Sequence, residues 1–175
     1  MSGGAWDPFA VLGVERRFWV DRGVLEAAYL RASRAAHPDR VGNDAEEAVR
    51  RMAVINDAKE TLIDDERRAR ALVKLAEDAG VMDGGDRDAL PAGFLEETLE
   101  VRMLIDEAIA GGDSAAMAEV LDDALERERG VVEEVGPMLD GLFGGGVVDG
   151  ARLRELMNAW RYVRRMLERL EEAQA

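Results

Sequence analysis

Apolar residues recur every three or four positions along almost the whole chain of 175 residues. The clearest run lies near the end and consists of Leu153, Leu156, Met157, Trp160, Val163, Met166, Leu167 and Leu170. This spacing places one apolar stripe along a helix, and no segment alternates apolar and polar residues as a half-buried strand does. Because Ala, Leu, Glu and Arg are also strong helix formers, the sequence predicts an all-α protein.

Glycine and proline divide these helical runs into two groups. The stretch from Gly80 to Pro91 contains three glycines, several acidic residues and little periodicity, which is typical of a linker. Three amphipathic helices with short breaks follow it, and such helices form an antiparallel bundle. We expect the middle one to end at about Gly136-Pro137. The predicted organisation is an N-terminal helical domain over residues 5–76, a linker over 77–90 and a C-terminal three-helix bundle over 91–173.

The N-terminal group contains clear helix boundaries. Asp7 followed by Pro8 is typical of a helix start, and Gly13 can end that short helix in the left-handed conformation. A second helix begins after Asp21 and must end before Pro38, because a residue that precedes proline avoids the α conformation. Further helices are expected up to residue 76.

Charge is distributed unevenly between the two groups. Residues 1–76 contain 13 basic and 13 acidic residues, whereas residues 77–175 contain 10 basic and 24 acidic ones, which accounts for the whole net charge of −14. An acidic C-terminal half repels phosphate backbones, so we expect no nucleic-acid partner. The charge break suggests two functional units, although a generic solubilising surface is the alternative.

The absence of cysteine excludes disulfides, zinc fingers and thiol nucleophiles, and a single histidine leaves no multi-histidine metal site. We therefore expect no cofactor. The longest apolar stretch is far shorter than the roughly 18–20 residues that a membrane span needs, and the N-terminus lacks a signal-peptide pattern. A soluble protein of the cytoplasm, without a membrane partner, is expected.

The only histidine belongs to the tripeptide His37-Pro38-Asp39, which lies between two predicted helices. Pro38 stiffens the turn, Asp39 offers a carboxylate, and His37 presents a polar ring, so that the loop forms a rigid recognition element. An acid–base pair of His37 and Asp39 is the alternative. An enzyme would need a second polar cluster facing the loop, and the helix faces supply only apolar residues and scattered charge. We expect binding without catalysis.

This tripeptide, the flanking helices, the segment from Asp7 to Gly13 and the pattern Ile55-Asn56-x-Ala58-x-x-x-Leu62 resemble the J-domain of co-chaperones that stimulate DnaK-class ATPases. In that family the loop and the basic face of the second helix bind the ATPase. The implied contact residues are His37, Pro38, Asp39, Arg31, Arg34 and Arg40. Two features depart from the family: Ala36 replaces a usual aromatic residue, and Arg40 replaces a usual lysine. Simple solvation of an exposed helix face is the alternative role for the arginines.

The rest of the chain resembles one J-protein type, the HscB co-chaperones of iron–sulfur cluster assembly. The similarity lies in the loop from Arg16 to Asp21, in Arg68-Ala69 with Leu72-Val73-x-Leu75, in the segment from Phe94 to Arg102, and in Arg161-Tyr162-Val163 of the last helix. It covers nearly the whole chain.

The HscB resemblance implies that the bundle binds an IscU-like scaffold protein and delivers it to an HscA-class chaperone. The implied contact residues are Leu95, Glu96, Leu99, Glu100, Met103, Glu107 and Tyr162. Leu95, Leu99 and Met103 form one stripe, and the sequence alone leaves open whether that stripe faces a partner or the bundle core. Glu96 departs from the family, where an apolar residue is usual. Two other possibilities remain: a general co-chaperone with another client, and a helical scaffold without a chaperone partner.

Overall fold

The computed structural model describes residues 6–37, 45–83, 86–112 and 114–174, and among these residues it contains seven α-helices and no strand. The helices are α1 (Pro8–Leu12), α2 (Arg22–Ala35), α3 (Ala45–Ile63), α4 (Asp65–Asp78), α5 (Phe94–Gly111), α6 (Ser114–Gly144) and α7 (Gly150–Gln174). The all-α prediction is confirmed.

The chain forms two compact units. The first contains the described residues up to Met82 together with Leu139–Val147, and the second contains Asp83–Met138 and the residues from Val148 onward. The last two turns of α6 therefore belong to the first unit. Whether residues 5–76 fold without the rest of the chain stays a prediction.

The caps of the first two helices are those predicted. The Asp7 carboxylate accepts hydrogen bonds from the amides of Phe9 (2.9 Å) and Ala10 (3.1 Å), and Gly13 ends α1 at φ +66°. The Asp21 carboxylate accepts from the amide of Val24 at 3.0 Å. Each acidic cap satisfies amides that have no partner within the helix, which fixes where α1 and α2 begin.

The core of the first unit is built around α3, against which α1, α2 and α4 pack. Its largest fully buried side chains are Phe9, Phe18, Leu62, Leu72 and Leu139. At the surface, the Tyr29 hydroxyl donates to Asn56 Oδ1 at 3.1 Å, and Lys59 Nζ lies 2.8 Å from the Glu26 carboxylate. Lys59 Nζ also lies 4.1 Å from the centroid of the Tyr29 ring. These contacts join α2 to α3.

One buried arginine connects three segments of the first unit. Arg68 Nε donates to the carbonyl of Phe18 at 2.7 Å, and Nη1 donates to the carbonyl of Leu62 at 2.6 Å. Its Nη2 pairs with Asp65, and the guanidinium lies 4.9 Å from the centroid of the Phe18 ring. Arg68 therefore joins the loop before α2 to the junction between α3 and α4.

The second unit has its own core, in which α5 packs against α7. A cluster within it consists of Val101, Ile105, Ala124, Val163, Leu167 and Leu170. The buried Trp160 donates from Nε1 to Glu128 at 2.9 Å. The Asn158 amide donates to the carbonyls of Arg87 (2.9 Å) and Ala89 (2.8 Å), so part of the predicted linker is held by α7.

The predicted end of the middle bundle helix at Gly136-Pro137 is wrong, because α6 continues through Pro137 to Gly144. Proline inside a helix costs about 3 kcal/mol. Leu139 and Leu142 are buried beyond it, and burial of each leucine is worth about 1.5–3 kcal/mol, which offsets that cost. The amide of Phe18 also donates to the Asp140 carboxylate. Contacts distant in sequence thus keep this end of α6 helical.

Replacing Arg68 with methionine removes the donors to two backbone carbonyls while keeping an apolar side chain of similar length. We expect Arg68→Met to lower the free energy of unfolding by about 2–4 kcal/mol. Thermal unfolding followed by circular dichroism measures this. The control is Arg70→Met on the same helix, because Arg70 is exposed and, among the residues that the structure describes, forms an ion pair only with Glu66. Its effect is expected to stay below about 0.5 kcal/mol. Equal effects of the two substitutions would contradict the role of Arg68.

Candidate functional site

The first candidate surface lies at the C-terminal end of α2, the helix that packs against α3. Ala36 ends α2, with its amide bonded to the carbonyl of Ala32 at 3.0 Å, and His37 follows it with an exposed side chain. The other predicted loop residues, Pro38, Asp39 and Arg40, lie outside the described residues. Because contacts of Tyr29 and Glu26 with α3 hold α2 in place, His37 lies at the end of a well-packed helix.

The predicted arginines of α2 are exposed and three residues apart, so they share one helix face. Within the described part of the chain, neither Arg31 nor Arg34 forms an ion pair. On α3, by contrast, the Glu47 carboxylate accepts from Arg51 at 2.8 Å and from Arg50 at 3.1 Å. Hydrogen bonds from Arg51 and then Arg50 lower the pKa of the Glu47 carboxyl. Positive charge without an ion-pair partner beside His37 thus comes from α2.

The second candidate surface is the outer face of α5. The side chains of Leu95, Leu99 and Met103 are 58%, 59% and 64% exposed, whereas the core of the same helix is formed by Val101, Ile105 and Ala108. Leu95, Leu99 and Met103 therefore face outward and not into the bundle core, a choice that the sequence alone left open. We call these three residues the outer stripe.

The other predicted residues of this surface surround the outer stripe. Glu96, Glu100 and Glu107 are exposed, and their spacing of four and seven residues places them along one edge of the stripe. Tyr162 comes from α7, is partly exposed, and stacks edge to face on Phe94 with 5.9 Å between ring centroids. All seven residues therefore lie on α5 or on the neighbouring face of α7.

An exposed apolar strip with charged neighbours is typical of a surface that binds another protein.

In the described ranges, no group of three or more His, Cys, Asp or Glu side chains is placed to hold a metal ion. Among the helices that the structure describes, none is both long and apolar enough to cross a membrane.

Sequence reasoning missed a group of arginines between α5 and α7. Arg102 and Arg165 line the same cleft as Tyr162, together with Arg169. The available signal was the spacing of Arg161, Arg165 and Arg169, which recur every four residues and so share one face of the last helix.

Residues 7–71 match the family model of the DnaJ domain. Together with the packing of α2 against α3 and the exposed position of His37 after α2, this match defines a J-domain protein. Over most of its length the chain also resembles particular J-proteins. It is 37% identical to the co-chaperone HscB homologue of Ralstonia nicotianae over 85% of both chains, and 31% identical to that of Cupriavidus taiwanensis over 86% of both. The chain belongs to the HscB family of co-chaperones.

Two solved structures share this fold. Human co-chaperone HscB has a TM-score of 0.77 at 22% identity, with 98% of this chain and 83% of that chain covered. The chaperone HscB from Vibrio cholerae has a TM-score of 0.72 at 21% identity, with 96% of this chain and 97% of that chain covered. The resemblance to HscB and the fold class inferred from the sequence are confirmed.

The orientation of the outer stripe makes a prediction about stability. Because both leucines are exposed, the double change Leu95→Ala/Leu99→Ala is expected to lower the free energy of unfolding by less than about 1 kcal/mol. The control is Ile105→Ala, which truncates a buried side chain of the same helix and is expected to lower the free energy of unfolding by about 2–5 kcal/mol. Thermal melts compare the two. A larger loss in the leucine variant would place the stripe in the core.

Proposed function

We propose that the chain stimulates ATP hydrolysis by a DnaK/HscA-class chaperone and delivers an IscU-like iron–sulfur scaffold protein to it. The J-domain would bind the chaperone, and the outer face of α5 would bind the scaffold. The observation that carries the proposal is the exposed outer stripe in a member of the HscB family. An apolar strip of this kind gains free energy when a partner covers it.

On the chaperone side, the proposed contacts are His37, Pro38, Asp39, Arg31, Arg34 and Arg40. The exposed position of His37 at the end of α2 supports this, because a rigid helix presents the side chain with little loss of conformational entropy on binding. Arg31 and Arg34 supply positive charge that increases the rate of association with an acidic partner surface.

On the scaffold side, the proposed contacts are Leu95, Glu96, Leu99, Glu100, Met103, Glu107 and Tyr162. Apolar anchors at the centre of an interface commonly contribute about 2 kcal/mol or more each, whereas charges at its rim mainly set the rate and salt dependence of association. The outer stripe therefore supplies affinity, and the three glutamates select a partner with basic residues nearby.

Carrying both surfaces on one chain has a thermodynamic consequence. A scaffold bound to the bundle meets the chaperone at the effective concentration set by the chain that joins the two surfaces, which raises the affinity of the assembly without new contacts. The chain acts as an adaptor and performs no chemistry itself. A cytoplasmic location fits this role and stays a prediction.

The alternative is a general co-chaperone whose bundle binds a different client. The outer stripe alone is compatible with that role, because any partner with an apolar patch can cover it. Family membership favours the scaffold, and direct binding measurements with the scaffold separate the two functions.

Replacing His37 tests the chaperone side. We expect His37→Gln to abolish stimulation of the chaperone ATPase in single-turnover assays, because the change removes the imidazole from an exposed contact and leaves the core untouched. The circular dichroism spectrum is expected to stay that of the wild type. Arg67→Gln, an exposed change on α4, serves as the control and is expected to keep full stimulation. Full stimulation by His37→Gln would contradict the proposed contact.

The scaffold side is tested by calorimetric titration of the Leu95→Ala/Leu99→Ala variant with the IscU-type scaffold of the same organism. Loss of two anchors at about 2 kcal/mol each, which is about 4 kcal/mol together, predicts an affinity weakened by about a thousandfold. The matched control is Leu125→Ala, which truncates an exposed leucine of α6 outside the proposed surface. Unchanged affinity in the double variant would rule out this surface. A wild-type chain that does not bind the scaffold at all would favour another client.

A further inference from the structure

The two edges of the outer stripe carry opposite charge. Arg102 follows Leu95 by seven residues and Leu99 by three, so it lies on the same side of α5 as these two leucines. It borders a cleft of about 270 Å³ that α5 shares with α7. Glu107 instead lines the groove between α5 and α6. The edge toward α7 is therefore basic, and the edge toward α6 is acidic.

The cleft toward α7 is an electropositive part of an otherwise acidic region. Arg169 has a partner there, because its Nη2 lies 2.6 Å from Asp106 Oδ1. Arg102 and Arg165 line the same cleft, and neither forms an ion pair with any residue that the structure describes. Residues 77–175 contain only 10 basic against 24 acidic residues. Two guanidinium groups without a carboxylate partner in such surroundings attract an anionic group of a partner.

We propose that Arg102 and Arg165 bind a carboxylate side chain of the scaffold protein that covers the outer stripe. This inference rests on the proposed function. A guanidinium group binds a carboxylate through two parallel hydrogen bonds, and such charged pairs are about twice as strong as neutral ones. Tyr162 belongs both to the predicted scaffold surface and to the cleft, so the basic edge is continuous with that surface.

The opposite charges fix the orientation in which the scaffold binds. A partner that presents an acidic residue to Arg102 and basic residues to Glu100 and Glu107 gains attraction along both edges. The same partner rotated by half a turn meets like charges along both edges, which costs binding free energy. The outer stripe alone provides no such discrimination, because apolar contact is not directional.

The test is the double change Arg102→Gln/Arg165→Gln, titrated with the IscU-type scaffold at low and at high ionic strength. We expect the affinity at low ionic strength to fall by about tenfold or more, and the association rate in stopped-flow mixing to fall with it. The difference from the wild type is expected to shrink at high ionic strength, because salt screens charge pairs. Arg102→Lys/Arg165→Lys keeps the charge but loses the planar fork, so an intermediate affinity is expected.

The control is Arg87→Gln/Arg129→Gln, which changes the net charge equally at two exposed positions of the same unit. If the Arg102→Gln/Arg165→Gln variant binds as the control does, with the same salt dependence, the basic edge is not a contact. If Leu95→Ala/Leu99→Ala still loses binding in that case, the outer stripe binds the scaffold and only the contact through Arg102 and Arg165 is ruled out. If Arg102→Gln/Arg165→Gln unfolds, the Arg102→Lys/Arg165→Lys variant provides the test. An affinity and a salt dependence equal to those of the wild type would overturn the pairing of the two guanidinium groups with a carboxylate.

Discussion

The buried guanidinium of Arg68 is the contact on which the architecture of the first unit depends. Its hydrogen bonds to the carbonyls of Phe18 and Leu62 join the loop before α2 to the end of α3. Burying a charged group is costly unless its donors are satisfied, so this arginine stabilises only the arrangement in which both carbonyls are in place. The amide of Phe18, in turn, donates to Asp140 at the end of α6. Arg68 and Phe18 together therefore connect four chain segments: the loop before α2, the end of α3, α4 and the end of α6.

The two proposed binding surfaces follow from opposite uses of the same kind of helix. In the J-domain, α2 packs its apolar face on α3 and presents Arg31 and Arg34 outward, and the exposed His37 follows the end of the helix. In the bundle, α5 fills the core with Val101, Ile105 and Ala108 and still has a second apolar strip left over. A helix at the surface of a domain needs only one apolar face for packing. Covering the second strip with a partner therefore gives the largest gain in binding free energy.

Local signals made much of this fold predictable. Asp7, Asp21 and Gly13 define helix ends through their own backbone contacts, and the apolar period of α7 defines a buried face. The passage of α6 through Pro137 was not predictable, because it depends on contacts with residues far away in sequence, such as the hydrogen bond from the amide of Phe18 to the Asp140 carboxylate. Local rules describe the cost of a proline but not the tertiary contacts that offset it.

The candidate site was predictable in part for a similar reason. Spacing places Leu95, Leu99 and Met103 on one strip, but only the positions of α6 and α7 decide which strip of α5 faces inward. The basic edge needs knowledge of neighbours as well, since Arg102 and Arg165 come together only because α5 and α7 border the same cleft. Residues 38–40, which lie outside the described residues, remain assigned by resemblance to the J-domain family.

We propose that this one chain brings the scaffold to the chaperone. The most direct measurement is the scaffold concentration that gives half-maximal single-turnover ATP hydrolysis by the HscA-class chaperone, determined with and without this chain. We expect the wild-type chain to lower that concentration strongly, because it makes the encounter intramolecular, and the Leu95→Ala/Leu99→Ala chain to leave it unchanged. The same half-maximal scaffold concentration with both chains would contradict the adaptor role of this chain.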